Sequence, residues 1–551
     1  MRKWIRGWRM IEGGRDGQGG QGGRDGQDGR DGRDGRERPE ERRVHCRTAL
    51  TVLTVLTVPT VLTVLTALTV LTTPAFAQSR AAVDRLADQP PFSHSLFGIA
   101  LVDDRGRLLY GRNADRMFVP ASNTKIVVTA IASALLPPDF TVRTSVYGTG
   151  PVVDGRLAGD LVLYGRGDPA VGVRCYAVDT VPAGVCDRDP SAQLRRLVDS
   201  LKARGLRSVD GAIVGDGSYF EPTTVHYGWD VYDLNWWYAA PVTALALNDN
   251  SVDVQWKPGK AVGAPAEFTL LPAYHGLNFE NRTVTIAPGG PTDVADRMWR
   301  KPGTLDVWAE GTVAMGHRGG TDYFAVPDPN LFAARALRSL LAEAGIAVTG
   351  PTRSTTDSLA YAPVRAGTAL AEVTSRPLRD WVVPILNTSQ NLYAEMLLKQ
   401  LGRQFGTAGS WDEGLRVERR FLIDSVGVDS TQFALADGSG LAADNLVSPL
   451  AFTQVLRYIR RHPRYATFAA GLPQSGKRGS LRTRFLGTRL EGRVHAKTGS
   501  ISRTNTLSGY VELASGRVLT FSIQANHHAA GGRAALARID TLLVEMTKGM
   551  K

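Results

Sequence analysis

The chain reads as a mixed α/β protein with a central antiparallel sheet, flanked by helices and split in sequence by β-rich inserted material. Three observations predict this. Phe97 to Val102 and Arg107 to Tyr110 are β-rich runs around Asp103-Asp104-Arg105-Gly106, a hairpin near the start of the globular part. A meander closes the other end: Val494 to Lys497, Asn505 to Leu513 and Arg517 to Gln524, with Ala514-Ser515-Gly516 as a turn. Between them, residues 143–359 alternate short strands, helices and Pro/Gly breaks, whereas the stretch from about 375 is mostly helical. With 551 residues, 43% of them apolar, the chain can bury two or three cores.

The elements follow in order. Glycine recurs every third residue from Gly17 to Gly35 without proline, so residues 1–48 read as a disordered, low-complexity extension, not a collagen helix. Ala49 to Leu71 carries no charge, follows Arg42, Arg43 and Arg47, and precedes Ala75-Phe76-Ala77. Residues 49–77 therefore read as an export signal cut before Gln78, and the apolar run is also long enough for an uncleaved membrane anchor. Pro120 and Ser122 open a helix that runs through Ile126 to Leu136 and stops at Pro137-Pro138. Leu161 to Tyr164 is a strand, Gln193 to Ala203 an amphipathic helix, Ser251 to Pro288 a small all-β module, and Leu331 to Ala344 a helix. Leu392 to Leu401, Trp411 to Val426 and Ser448 to Arg460 are helical, and Ala534 to Met546 is a closing helix that packs on the sheet. The expected division is a catalytic domain over 78–142 and 360–551, one inserted domain over 143–247 and 313–359, and a second, all-β, over 248–312.

Cysteine usage agrees with export. Cys46 falls in the signal, and Cys175 and Cys186 are spaced for a short disulfide loop, stabilising by about 2–3 kcal/mol in the chain-entropy account. No histidine neighbours that pair, which argues against a two-cysteine metal site. The net charge of +12 suits a solvated basic surface or an acidic cell-wall polymer. No Arg/Lys run interleaved with aromatics follows residue 80, so nucleic acid is not an expected partner.

Three short motifs carry chemistry: Ser122-Asn123-Thr124-Lys125, Ser389-Gln390-Asn391 and Lys497-Thr498-Gly499. Ser122 and Lys125 lie three apart on a helix and share a face; serine needs an adjacent base, and a lysine held neutral by burial supplies one. Alone, the pair also reads as a helix-start serine with an exposed lysine. Ser389 and Asn391 precede a helix and read either as caps or as a proton-relaying hydroxyl and a substrate-orienting amide. Lys497 and Gly499 share one strand face, where Lys497 and Thr498 would anchor a carboxylate and Gly499 would let substrate backbone approach. The N–H groups of Ser500 and Ser122 would form an oxyanion hole. His495 reads as strand packing, and His527-His528 as loop residues with no carboxylate or cysteine cluster beside them, so no metal or cofactor is expected.

With its flanking segments, the chain resembles the D-alanyl-D-alanine carboxypeptidases of the S13 peptidase family, the class C low-molecular-mass penicillin-binding proteins. Besides the three motifs, the segments are Pro120-Ala121, Gly159-Asp160-Leu161-Val162-Leu163, Gly167-Asp168-Pro169, Gly228-Trp229, Asp233-Leu234-Asn235, Ala240 to Leu245, Asn391 to Glu395 and Asp437-Gly438-Ser439-Gly440-Leu441. The resemblance implies a penicillin-binding transpeptidase-like fold interrupted by two inserted domains. It implies Ser122 as nucleophile, Lys125 as acylation base, Ser389 as proton shuttle, Asn391 on the substrate amide, and Lys497 with Thr498 on the terminal carboxylate. The implied partners are peptidoglycan stem peptides and covalently bound β-lactams, with D,D-endopeptidase action as an extension; an oligomer is compatible. One departure is Ala442-Ala443, where the family continues with Ser-Arg and uses that arginine on the distal end of a peptide side chain; Trp229 and Asp233 are expected to line that region. The competing readings are a β-lactamase or esterase of the same clan, or an inactive wall-binding scaffold. The spacing of 267 positions from Ser122 to Ser389 favours the inserted-domain architecture, and the full set of reactive residues disfavours the scaffold.

Overall fold

The computed structural model describes residues 73–171 and 189–550. The expected low-complexity extension, most of the signal region and the Cys175/Cys186 pair lie outside the described residues. The first helix, α1 (Thr73–Asp88), runs through the Ala77–Gln78 bond, while its buried residues Val83 and Ala87 lie beyond that bond. Among the described residues, no helix is long and apolar enough to cross a membrane.

The first hairpin and the last three strands form one sheet, as their patterning predicts. In spatial order it runs β2 (Leu108–Arg112), β1 (Leu96–Val102), β5 (Val518–Asn526), β4 (Thr504–Glu512) and β3 (Val494–Ile501). Every neighbouring pair is antiparallel, and β1 meets β5 with Leu96 opposite Asn526 and Val102 opposite Thr520.

The period of two divides this sheet into unlike faces. Phe97, Ile99, Leu101, Leu507, Phe521, Ile523 and Ala525 share one face, where α1 and the last helix, Gly532–Met546, bury Val83, Ala87, Ile539, Leu542 and Leu543 against them. The opposite face carries small and polar residues instead: Gly98, Ala100, Lys497, Gly499, Thr506, Ser508, Ser522 and Gln524. Apolar burial fixes the first face, whereas the small residues let a helix start come close on the second.

That helix is α2 (Thr124–Leu135), buried along nearly its whole length. Ile126, Val127, Ile131 and their neighbours pack with α3 (Leu378–Asn387), α4 (Asn391–Phe405), α5 (Trp411–Phe421) and α6 (Pro449–Arg461) in one core. A helix apolar on all sides needs such enclosure.

The intervening chain builds further sheets. A mixed five-stranded sheet runs Thr352–Thr355, Ile213–Asp216, Leu161–Tyr164, Arg143–Gly148, Ala371–Thr374, and shares a core with helices Ala192–Ala203 and Pro329–Glu343. Two three-stranded sheets follow: Glu267–Leu271, Ser251–Lys257, Gly320–Ala325; and Asn278–Ile286, Asp306–Ala314, Met298–Arg300. The limit expected at residue 312 falls inside Asp306–Ala314, and Gly320–Ala325 pairs with Ser251–Lys257. Ala371–Thr374, expected beyond the insertion, pairs with Arg143–Gly148. Such short strands take their place from pairing partners, which their own patterning does not reveal.

Candidate active site

The site lies where the start of α2 meets the polar face of the sheet. Ala121–Asn123 form a tight 3-10 turn that runs directly into α2, with Ala121 in the left-handed region at φ 48°. The turn is held from both sides. Thr124 Oγ1 donates to Ala121 O at 3.0 Å, and Thr506 Oγ1 donates to Pro120 O at 2.8 Å. In the amide orientation that satisfies both ends, Asn123 donates to Lys497 O at 2.8 Å and accepts from Ser508 Oγ at 2.7 Å. Asn123 thus ties the serine-bearing turn to the lysine-bearing strand. Gly499 is required for the same approach, since a Cβ there would sit 2.3 Å from Thr506 Oγ1 and 2.7 Å from Pro120 O.

Ser122 stays half-exposed between buried neighbours. Lys125 is fully buried, and its Nζ lies 3.0 Å from Ser122 Oγ, 2.7 Å from Asn391 Oδ1 and 2.7 Å from Ser439 O. The geometry has a direct chemical reading. A neutral amine has two N–H bonds and one lone pair; the two obligate acceptors, Asn391 Oδ1 and Ser439 O, take the N–H bonds. The lone pair is left for the hydroxyl of Ser122. Burial lowers the Lys125 pKa to about 7, against an opposing pull from the charges of Asp437 and Glu395.

Asn391 opens α4 and Ser389 stands just before it in the left-handed region, φ 66°. Neither serves as the helix cap. Gln390 does, its side chain accepting from Leu392 N at 3.0 Å while its Nε2 donates to Asp249 Oδ2 at 2.9 Å. Ser389 and Asn391 are thereby released to face the site. Asn391 Nδ2 donates to Tyr238 O at 2.7 Å, which aims its oxygen at Lys125.

Lys497 is also fully buried, donating to Ser389 Oγ at 2.9 Å and to the Thr498 carbonyl at 2.7 Å. Burial first, then the charge of Lys125, pushes its pKa well down. Thr498 Oγ1 donates to Ser480 Oγ at 2.8 Å, and the exposed Ser500 accepts from Asn505 Nδ2 at 2.7 Å. The three motifs therefore converge as their order suggests: one lysine touches the serine of its own motif, the other touches the serine of the second.

A layer behind this contact was not foreseen. Glu395, one helical turn past Asn391, accepts from Ser439 N at 2.7 Å, Gly438 N at 3.0 Å and Trp411 Nε1 at 2.8 Å. Asp437 accepts from Gly440 N, Ala442 N and Asn445 Nδ2 at 2.7–2.8 Å and from Trp229 Nε1 at 3.0 Å. Glu418 is fully buried and, among the described residues, neither oxygen has a hydrogen-bond partner; burial holds its carboxyl pKa well above the usual range. Lys399 Nζ sits 3.5 Å from the centre of the Trp411 ring and 3.1 Å from Glu221 Oε1. The sequence signal for this layer is weak but present: acids and a lysine at core-facing positions of otherwise apolar helices.

Other expected residues stand elsewhere. Ala442 is buried and Ala443 exposed. Trp229 is buried against Asp437, and Asp233 accepts from Tyr238 Oη at 3.0 Å. His495 is half-buried on the Lys497 strand, where burial lowers its pKa. His528 places its ring nitrogens 2.7 Å from Ala530 O and 2.9 Å from Asn505 Oδ1.

A serine beside a buried lysine at a helix start, facing a second lysine on an antiparallel sheet edge, defines a penicillin-recognising serine hydrolase. The chain belongs to the D-Ala-D-Ala carboxypeptidase 3 (S13) family, which it matches over residues 79–546, and is a serine-type D-Ala-D-Ala carboxypeptidase. It is 30% identical over 485 residues to a D-alanyl-D-alanine carboxypeptidase of an Actinomadura species, covering 85% of this chain and 84% of that one. It is 24% identical over 467 residues to the D-alanyl-D-alanine carboxypeptidase DacB of Haemophilus influenzae, covering 83% and 90%. The fold is similar to the crystal structure of penicillin binding protein 4 from the same organism, with TM-score 0.71 at 23% identity over 84% of this chain and 98% of that one.

Proposed function

We propose that the carboxypeptidase reaction runs through an acyl-Ser122 intermediate with Lys125 as the acylation base. The observation that carries this is the 3.0 Å contact between Lys125 Nζ and Ser122 Oγ, with both other Nζ partners obligate acceptors. Lys125 takes the hydroxyl proton as Oγ bonds to the carbonyl carbon of the penultimate D-Ala. The N–H groups of Ser122 and Ser500 receive the oxyanion. The peptide C–N bond then breaks, and Ser389, which contacts Lys497, relays the proton that Lys125 took to the departing D-Ala amine, leaving Lys125 neutral again. Asn391 orients the substrate amide, while Lys497 and Thr498 hold the terminal carboxylate. Water then attacks the ester carbon while Lys125 takes its proton, the Oγ–C bond breaks, and that proton returns to Ser122 Oγ.

The substrates are peptidoglycan stem peptides, with D,D-endopeptidase cleavage as an extension of the same chemistry. β-Lactams acylate Ser122 as covalent inhibitors; a solved relative of similar fold was captured as a complex with a β-lactam. The protein works in the cell envelope after export, with the signal cut before Gln78. A catalytic domain carrying two inserted domains accounts for the separate sheets. Mass spectrometry after penicillin exposure tests the reading: one adduct on the peptide bearing Ser122 is expected. An adduct elsewhere, or none, overturns it, and rapid release of hydrolysed penicillin supports the β-lactamase alternative.

A further inference from the structure

The Asp437-Gly438-Ser439-Gly440-Leu441 turn supplies Lys125 with one acceptor, Ser439 O, and its side chains take no step in the reaction above. Ser439 C=O and Gly440 N–H belong to one peptide group. That group accepts from Lys125 Nζ at 2.7 Å through its oxygen and donates to Asp437 Oδ1 at 2.7 Å through its nitrogen. A carboxylate on the N–H side of a peptide polarises it, leaving more negative charge on the oxygen. Gly440 makes the contact possible: its φ is +80°, and a Cβ there would lie 1.9 Å from Ala121 O in the nucleophile turn. Glu395 holds the two preceding peptides, accepting from Ser439 N and Gly438 N. Because Glu395 lies four residues after Asn391, one face of α4 sets both acceptors of Lys125, one directly and one through the turn.

We infer that Asp437, supported by Glu395, is a positioning residue that acts on Lys125 through the Ser439–Gly440 peptide, both aiming the amine at Ser122 and setting the pH at which it becomes a base. This inference rests on the acyl-serine reading. The charged groups around the pair are few. Lys125 is faced by Asp437, Glu395 and Lys497; Asp437 by Glu395, Glu418, His226 and Lys125; and Lys399 and Glu418 stand beside Glu395. Asp437 and Glu395 favour the ammonium form and oppose burial. Burial first, then the charge of Asp437, raises the Glu395 carboxyl to about 7, so Glu395 is only partly charged across the acid limb. Removing the Asp437 charge frees the amine at lower pH, so the acid limb of acylation moves down.

The test is the pH profile of the second-order rate of acylation by labelled penicillin, followed as covalent adduct on intact protein. Asp437→Asn is expected to move the acid limb down by about one pH unit, and Glu395→Gln, at a carboxyl partly protonated over that range in the wild type, by a smaller step in the same direction. Glu418→Gln, which replaces a proton-bearing acid by a neutral amide, is expected to leave the limb in place. A thermal unfolding transition and a full adduct plateau at high pH confirm that each variant is folded. If Asp437→Asn does not fold, Glu395→Gln decides. A limb at the wild-type pH in the folded variants, with only a uniformly lower rate, overturns the inference, because loosened packing alone gives that pattern. An equal downward shift in Glu418→Gln also overturns it, since the general field of the buried acids would then set the limb. Absence of any adduct on the wild type strikes the acyl-serine reading instead, so the two failures are separable.

Discussion

The active site holds two lysine pockets that are equally buried and electrically opposite. Lys125 sits over a turn gripped by two acids, which partly offset its loss of water. Lys497 is faced by hydroxyl and carbonyl oxygens and by the charge of Lys125, which adds to its loss of water. The difference teaches what each pocket is for. Internal carboxylates complete the first pocket, so its lysine can change protonation within the protein. The second gains most when something negative arrives, as the carboxylate of a D-Ala terminus would in the proposed reaction.

The largest expected effect breaks the first pocket. Lys125→Met should lower acylation by about a thousandfold or more at every pH, because Lys125 Nζ is the base in contact with Ser122 Oγ. Adduct formation over hours checks this; near-normal acylation would remove Lys125 from its role. Next, Lys497→Ala should weaken kcat/KM by about 10- to 100-fold for substrates ending in a free carboxylate, mostly through KM. The sharpening experiment uses the same peptide with an amidated end. Wild type should lose on amidation and Lys497→Ala should lose little further, whereas equal losses in both would break the comparison.

A smaller effect reads the first pocket by pH. Lys125 has a folded pKa lowered to about 7, so the base form is present above that pH and the ammonium below it. Wild-type acylation should therefore be flat at pH 8 and fall about tenfold per unit well below 7. A profile flat to pH 5 would contradict it. The smallest effect is on stability. Glu418 has a raised folded pKa, so the native state keeps a proton that the unfolded chain gives up above the ordinary glutamate range. Its contribution therefore falls as pH rises, and Glu418→Gln, which cannot ionise, should raise Tm more at pH 8 than at pH 5. A gain independent of pH would show that Glu418 holds no extra proton.

Much of this site was legible because helix and strand spacings place motif residues on shared faces. Ser122 with Lys125, and Lys497 with Gly499, needed only periods of 3.6 and two. The sheet built from both ends of the globular part was legible from turn chemistry around two β-rich runs. What stayed hidden needed contacts distant in sequence. The motif's spacing assigns no role to Asn123, yet it bridges the start of α2 and β3. Ser389 and Asn391 read equally well as caps until Gln390 is seen to take that place. The backbone oxygens of Ser439 and Tyr238 have no side-chain signature at all. Strand Gly320–Ala325 joined its sheet through Ser251–Lys257, a partner that its own composition does not name.

The pairing of β1 with β5 also orders events in time. Leu96 lies opposite Asn526, so more than four hundred residues emerge from the ribosome before the strand that completes the neighbourhood of β1 exists. Lys497, on β3, arrives nearly as late. Sheet closure over so long a loop is slow, and it follows synthesis of almost the entire chain. Ser122, made early, therefore has no Lys497 opposite it until the final strands dock. A newborn chain cannot act as a hydrolase, and activity switches on at the step that finishes folding.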